Sequence, residues 1–140
     1  MRWWAWRNTD TTGPGPQVKL FLLYFDPAQS KRLAHSTGLQ KGLIGRVNVF
    51  AANSMSRQNN VIIAHEFLHT LGATDKYNPA NNLPLFPDGY ANPDLVPLLP
   101  QRFAEIMAGR TPLSKNEAET PAALDDALIG NKTAQEINWL

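Results

Sequence analysis

Val61-Ile62-Ile63-Ala64-His65-Glu66-Phe67-Leu68-His69-Thr70-Leu71-Gly72-Ala73-Thr74-Asp75 is the stretch on which the reading of this chain turns. Apolar residues at Val61, Ile63, Ala64, Phe67, Leu68 and Leu71 flank the two histidines at helical spacing, which predicts a helix over about Arg57 to Leu71. Gly72 follows the last apolar residue and can take the left-handed conformation that closes a helix. Four residues is just over one turn, so His65 and His69 project from one face and can converge on one metal ion. Glu66 is rotated by ~100° from His65 and can reach a water at that ion without binding the ion itself.

Zinc used catalytically takes three protein ligands and keeps one position open. The chain has no cysteine and three histidines, so the third ligand must come from imidazole, carboxylate or carbonyl oxygen. Asp75 is the candidate, because Gly72 lets the chain reverse and the Ala73-Thr74 step brings the carboxylate back toward the imidazoles. Tyr77 is near enough to reach the same site. Plainer readings stand beside these. HExxH also occurs in helices that bind nothing, an aspartate after a helix often caps its own backbone, and a loop tyrosine usually packs. His35, among Lys31, Arg32 and Ser36, reads as solvent-facing and is assigned no role.

Outward from the helix, Ser54 and Ser56 are candidate caps for its start. Gly45 to Ala51 alternates, with Val47 and Val49 on one face and Arg46, Asn48 and Phe50 on the other, which predicts a half-exposed edge strand. Val18 to Phe25, closed by Asp26-Pro27, predicts a buried strand. Pro27 to His35 reads as a short helix ending near Gly38. Beyond the helix, prolines at 79, 84, 87, 93, 97 and 100 make Asn78 to Pro100 a long ordered loop. The Asn and Asp residues from Asn78 to Asp94 leave a calcium site open, although they lack the spacing of a calcium loop. Thr120-Pro121 predicts a helix over Ala122 to Ile129 stopped by Gly130. Thr133 and Glu136 have capping-box spacing for a last short helix containing Ile137 and Trp139.

At 140 residues, 43% hydrophobic and 18% charged, the chain has the size and composition of one folded domain, 1–140. Thirteen basic against twelve acidic residues leave a net charge of +1, too small a field to recruit nucleic acid or an anionic membrane. The run Leu20 to Phe25 is far short of the ~20 residues that a membrane helix needs. The opening Met-Arg-Trp-Trp-Ala-Trp-Arg makes a poor signal peptide, so secreted and cytoplasmic locations both stay open. Trp3, Trp4 and Trp6 read as core.

From His65 to Asp75 the chain is similar to the extended HExxHxxGxx(H/D) motif of the metzincin metallopeptidases, in its aspartate variant. Asp75-Lys76-Tyr77 resembles the small snapalysin-type proteases of that group, which carry a tyrosine two residues after the aspartate. Glu105-Ile106-Met107-Ala108-Gly109 resembles the Met-turn, with Met107 as the apolar floor beneath the histidines, although Met107 also fits as ordinary core. The resemblance spans Val61 to Gly109. It departs from the family in the linker of about thirty residues before Met107, in the absence of cysteine, and in an N-terminal half with fewer strands than the family's sheet, consistent with a chain that begins inside a larger domain.

The resemblance implies an α+β, zincin-like fold: a small mixed sheet packed on an active-site helix, then a Met-turn and C-terminal helices. It implies a monomeric Zn2+ endopeptidase that acts on peptides or proteins through a metal-activated water, with Glu66 as general base and Tyr77 assisting. It also implies that the strand Gly45 to Ala51 pairs with an extended substrate. The rival is a catalytically silent zinc-binding interaction domain on the same fold, which would have no use for Glu66.

Overall fold

Val47 and Val49 alternate on one face of strand β3 (Ile44–Phe50) and are fully buried, so this strand is where the sheet meets the rest of the molecule. The computed structural model describes residues 17–140; the tryptophan cluster Trp3, Trp4 and Trp6, expected as core, lies outside them. Strand β1 (Lys19–Phe25) pairs parallel to β3 with Lys19 opposite Ile44 and Phe25 opposite Phe50. The short strand β2 (Thr37–Leu39) pairs antiparallel on its other side, with Gly38 opposite Gly45. The sheet order is β1-β3-β2, so β3 is central, where the sequence predicted an edge.

Asn48 explains part of that difference. Its face of β3 is covered, because its side-chain amide donates to the carbonyls of Ala34 (3.0 Å) and His35 (3.2 Å) while its backbone N–H donates to Ser36 Oγ at 2.9 Å. Those bonds hold residues 34–36 extended along β3. The helix expected over Pro27 to His35 is absent: the Asp26 carboxylate accepts the N–H of Ala28 at 2.9 Å and makes a local turn instead. Strand β1 is also not buried as expected. Among the described residues it lies at the edge, with Phe21 40% and Tyr24 63% exposed.

Helix α1 spans Ser56–Leu71 and ends at Gly72 with φ 109°, as the sequence predicted. Neither Ser54 nor Ser56 caps it; a 3-10 turn over Asn53–Met55 leads in. Asn59 fixes the helix to the sheet by a reciprocal pair with Phe50, accepting at 3.1 Å and donating at 2.8 Å. A side-chain amide here stands in for the next strand of the ladder. On the helix face away from β3, Val61 and Leu68 pack with Ala73, Ile106 and Met107 into the principal core cluster. Fully burying a side chain the size of Met107 stabilises by about 1.5–3 kcal/mol.

Residues 78–100 form an ordered loop as predicted, fastened by isolated backbone bridges, Tyr77 with Pro84 and Tyr90 with Ala104, and by side chains. Gln101, buried, accepts from Asn92 N–H at 2.8 Å and donates to the carbonyls of Asn92 (2.9 Å) and Leu98 (2.7 Å). Two small sheets follow: β4 (Ala104–Glu105) parallel to β7 (Ala127–Leu128), and β5 (Thr111–Ser114) antiparallel to β6 (Glu117–Glu119). The expected helix over Ala122 to Ile129 is a 3-10 turn at Leu124–Asp126 running into β7. Pairing of Ala127 and Leu128 with β4 takes the backbone groups that a helix would have used. Helix α2 (Asn131–Glu136) starts two residues before the expected head at Thr133 and stops short of Ile137 and Trp139, which were expected inside it; Gly130 holds its N-cap position and Ile137 its C-cap. Thr133 lies inside it and makes no capping box. The whole is α+β, with small sheets and one main helix.

Candidate metal centre

The last turns of α1 carry His65 and His69, and the reversal at Gly72 returns Asp75 to them. His65 Nε2 lies 3.1 Å from His69 Nε2, and Asp75 Oδ1 lies 3.1 Å from the first and 3.2 Å from the second. The other ring nitrogens are committed. His65 Nδ1 donates to the Ile106 carbonyl at 2.9 Å and His69 Nδ1 to the Ala73 carbonyl at 2.8 Å. A carbonyl can only accept, so each Nδ1 carries hydrogen and each Nε2 of a neutral ring presents a lone pair.

Three electron-rich atoms therefore meet at one point, an arrangement that calls for a positive charge between them. A proton on one imidazole supplies it in part. Burial lowers the pKa of His69, but the hydrogen bond to Asp75 and that to Ala73 outweigh it and leave the pKa raised. Burial likewise disfavours charge on Asp75, yet hydrogen bonds from His65 and His69, each made when that imidazole carries a proton on Nε2, hold its carboxyl well below the usual carboxylate range.

A metal ion also fits. Bonds of ~2.0–2.1 Å in a tetrahedral site put neighbouring ligand atoms about 3.3 Å apart, close to the 3.1 to 3.2 Å found here. Two imidazoles and a carboxylate are a donor set for zinc, and backbone carbonyls on the far ring nitrogens are the usual partners of metal-binding histidines. Glu66 is 7% exposed, and its Oε2 is buried with no hydrogen-bond partner. Such an oxygen is costly unless something in the cleft completes it. Burial raises the Glu66 pKa, partly opposed by the imidazoles of His65 and His69 and by the Gly38 backbone.

The cleft above these groups has a volume of about 220 Å³ and is bounded by Ser36, Gly38 and Tyr77 as well as by the four residues at its floor. Burial and the charges of Asp75 and Glu66 raise the pKa of the Tyr77 hydroxyl, keeping it a donor. No family model, no curated protein and no solved structure matches this chain. The site thus stands on its own geometry.

His65, Glu66, His69, Asp75 and Tyr77 share the cleft. Met107 is fully buried in the core cluster that includes Leu68. Its turn meets the site through two consecutive carbonyls, Ile106 accepting from His65 and Met107 accepting from Lys76 N–H at 3.0 Å. His35 is exposed, as expected, but lines the cleft mouth.

Sequence reasoning missed Gly38, where a Cβ would press on the Glu66 carbonyl oxygen and stand 2.7 Å from His69 Cβ. Glu105, which enters the sequence reading only as the first residue of the Met-turn resemblance, is fully buried and accepts hydrogen bonds from both that turn and helix α2; a lone carboxylate inside the apolar run Ala104 to Ala108 is the signal for it. A larger groove of about 570 Å³ on the opposite face of α1, lined by Phe67, Leu71, Ile129 and Trp139, is almost wholly apolar and holds none of these groups.

Proposed function

We propose that this chain is a zinc-dependent endopeptidase of the metzincin kind, with His65, His69 and Asp75 as metal ligands, Glu66 as general base and Met107 in the Met-turn. The observation that carries the reading is the convergence of two Nε2 atoms and one carboxylate oxygen at ligand spacing, beside the unpartnered Glu66 Oε2. Bound zinc would supply a Lewis acid that polarises the scissile carbonyl and brings the pKa of a water from ~15.7 toward ~7.

Glu66 takes the proton of the attacking water on its free oxygen and returns it to the departing amine. Its raised pKa suits both halves of that cycle. The Tyr77 hydroxyl donates to the carbonyl oxygen as negative charge develops there. Asp75, as a ligand, would be held ionised by the metal's positive charge.

The strand that receives substrate in the family is an edge strand beside the cleft. Among the described residues the edge strand that borders the cleft is β2, since β3 is paired on both sides. We assign an extended peptide to the outer edge of β2, where Thr37 and Gly38 border the cleft and backbone groups can add a strand.

Replacing Glu66 with Gln tests the chemistry. Cleavage of a quenched-fluorescent peptide library should fall by about 10²–10⁴-fold while zinc content is unchanged. Equal cleavage by the variant would remove Glu66 from the mechanism. A wild-type protein that holds zinc and cleaves nothing would favour the silent zinc-binding domain.

A further inference from the structure

Two carboxylates outside the cleft reach it from opposite sides, and both are held by helix α2. Glu136, in the last turn of α2, grips the chain on either side of Asp75. Its Oε2 accepts from Thr74 N–H at 2.9 Å and from Lys76 Nζ at 2.8 Å, and its Oε1 accepts from Thr74 Oγ1 at 2.9 Å. Lys76 is 4% exposed and its ammonium also donates to the Thr74 carbonyl at 2.9 Å. The segment Thr74 to Lys76 is thereby tied to α2 at both neighbours of Asp75.

Glu105 does the corresponding work for His65. It is fully buried, and its four hydrogen bonds divide between two elements. Oε2 accepts from the N–H groups of Met107 (2.7 Å) and Ala108 (3.1 Å), which shapes the turn and aims the Ile106 carbonyl at His65 Nδ1. Oε1 accepts from Gly130 N–H at 3.1 Å and from the Thr133 hydroxyl at 2.6 Å, at the start of α2. One short helix thus reaches His65 through Thr133, Glu105 and the Ile106 carbonyl, and reaches Asp75 through Glu136.

From this geometry we infer that α2 is the positioning element of the metal centre, and that Thr133 and Glu136 set its affinity without touching the metal. The inference rests on the proposed zinc site. Six residues make α2 too short to be stable alone, so its place depends on these bonds, and the ligands in turn depend on its place. Partners one step behind the ligands typically govern metal affinity by 10–100-fold.

Zinc affinity of the metal-free full chain, measured by competition with a chromophoric chelator, tests it. Glu136→Gln and Thr133→Val should each weaken zinc binding by about 10–100-fold, whereas Gln135→Ala, on the exposed side of α2, should leave it unchanged. Circular dichroism establishes at each step that the variant is folded at the assay temperature. Thr133→Val should also release the His65 tautomer, read by 15N chemical shifts of the metal-free protein. The wild type should show Nδ1 protonated and the variant a mixture, which a loss of stability alone would not produce. Folded Glu136→Gln and Thr133→Val proteins with wild-type affinity would overturn the role of α2 and leave the zinc site standing. A wild type that takes up no zinc would overturn the site, and the role of α2 with it.

Discussion

Gly38 sets how closely β2 approaches the helix that carries the histidines. Adding one methyl there meets the Glu66 carbonyl and His69 Cβ, which are backbone and near-backbone atoms that cannot swing away. Gly38→Ala should therefore destabilise by about 1–3 kcal/mol, read as a lower melting temperature, and wild-type stability would show that β2 is free to lift. This contact was not legible in the sequence, since a glycine between Thr37 and Leu39 looks like any turn residue. His65, Glu66, His69 and Asp75 were legible for the opposite reason. They fall within one helix and its stop, so local geometry alone relates them. The carbonyls of Ile106 and Ala73, which fix the imidazole tautomers, carry no residue-type signal at all.

Elements were legible in proportion to how much of their stability is local. Helix α1 has sixteen residues and a glycine stop, and its length and end were legible although its candidate serine caps were not used. The two-residue strands β4 and β7 exist only because they pair with each other, and the helical pattern over Ala122 to Ile129 yields to that pairing. Helix α2 was legible as an element but not in its bounds: it ends where Ile137 and Trp139 were expected to continue it, and Thr133 and Glu136 serve distant partners rather than the helix start. That use of Glu136 has a pH signature. Burial raises its pKa, but the hydrogen bond from Lys76 and those from Thr74 outweigh this and leave it lowered from 4.5. A depressed carboxyl contributes stability that is complete above the unfolded value and is lost as pH falls through the folded one. Below the ordinary glutamate range the wild type should therefore lose stability more steeply than Glu136→Gln, measured by urea unfolding with a chelator present. Parallel pH profiles would remove the Lys76–Glu136–Thr74 lock from the stability of the fold.

At the scale of the molecule, the described chain is organised around α1, which presents Val61 and Leu68 to the core and the histidines to the cleft. The sheet lies on one side, and the turn at Met107 and helix α2 lie on the other. The α+β class and the loop over residues 78–100 were legible from hydrophobic pattern and proline spacing. The order of the sheet was not, because Asn48 reads as a solvent-facing residue until the 34–36 segment covers it. No helix among the described residues is long and apolar enough to cross a membrane. The centre of the account is the metal site that this arrangement builds. Elemental analysis of the purified chain after zinc reconstitution and gel filtration tests it most directly, with His69→Ala as the comparison. One zinc per chain, lost in the variant, is the predicted result. No zinc retained, or equal retention in His69→Ala, would contradict it and leave the two histidines and Asp75 as a hydrogen-bonded cluster.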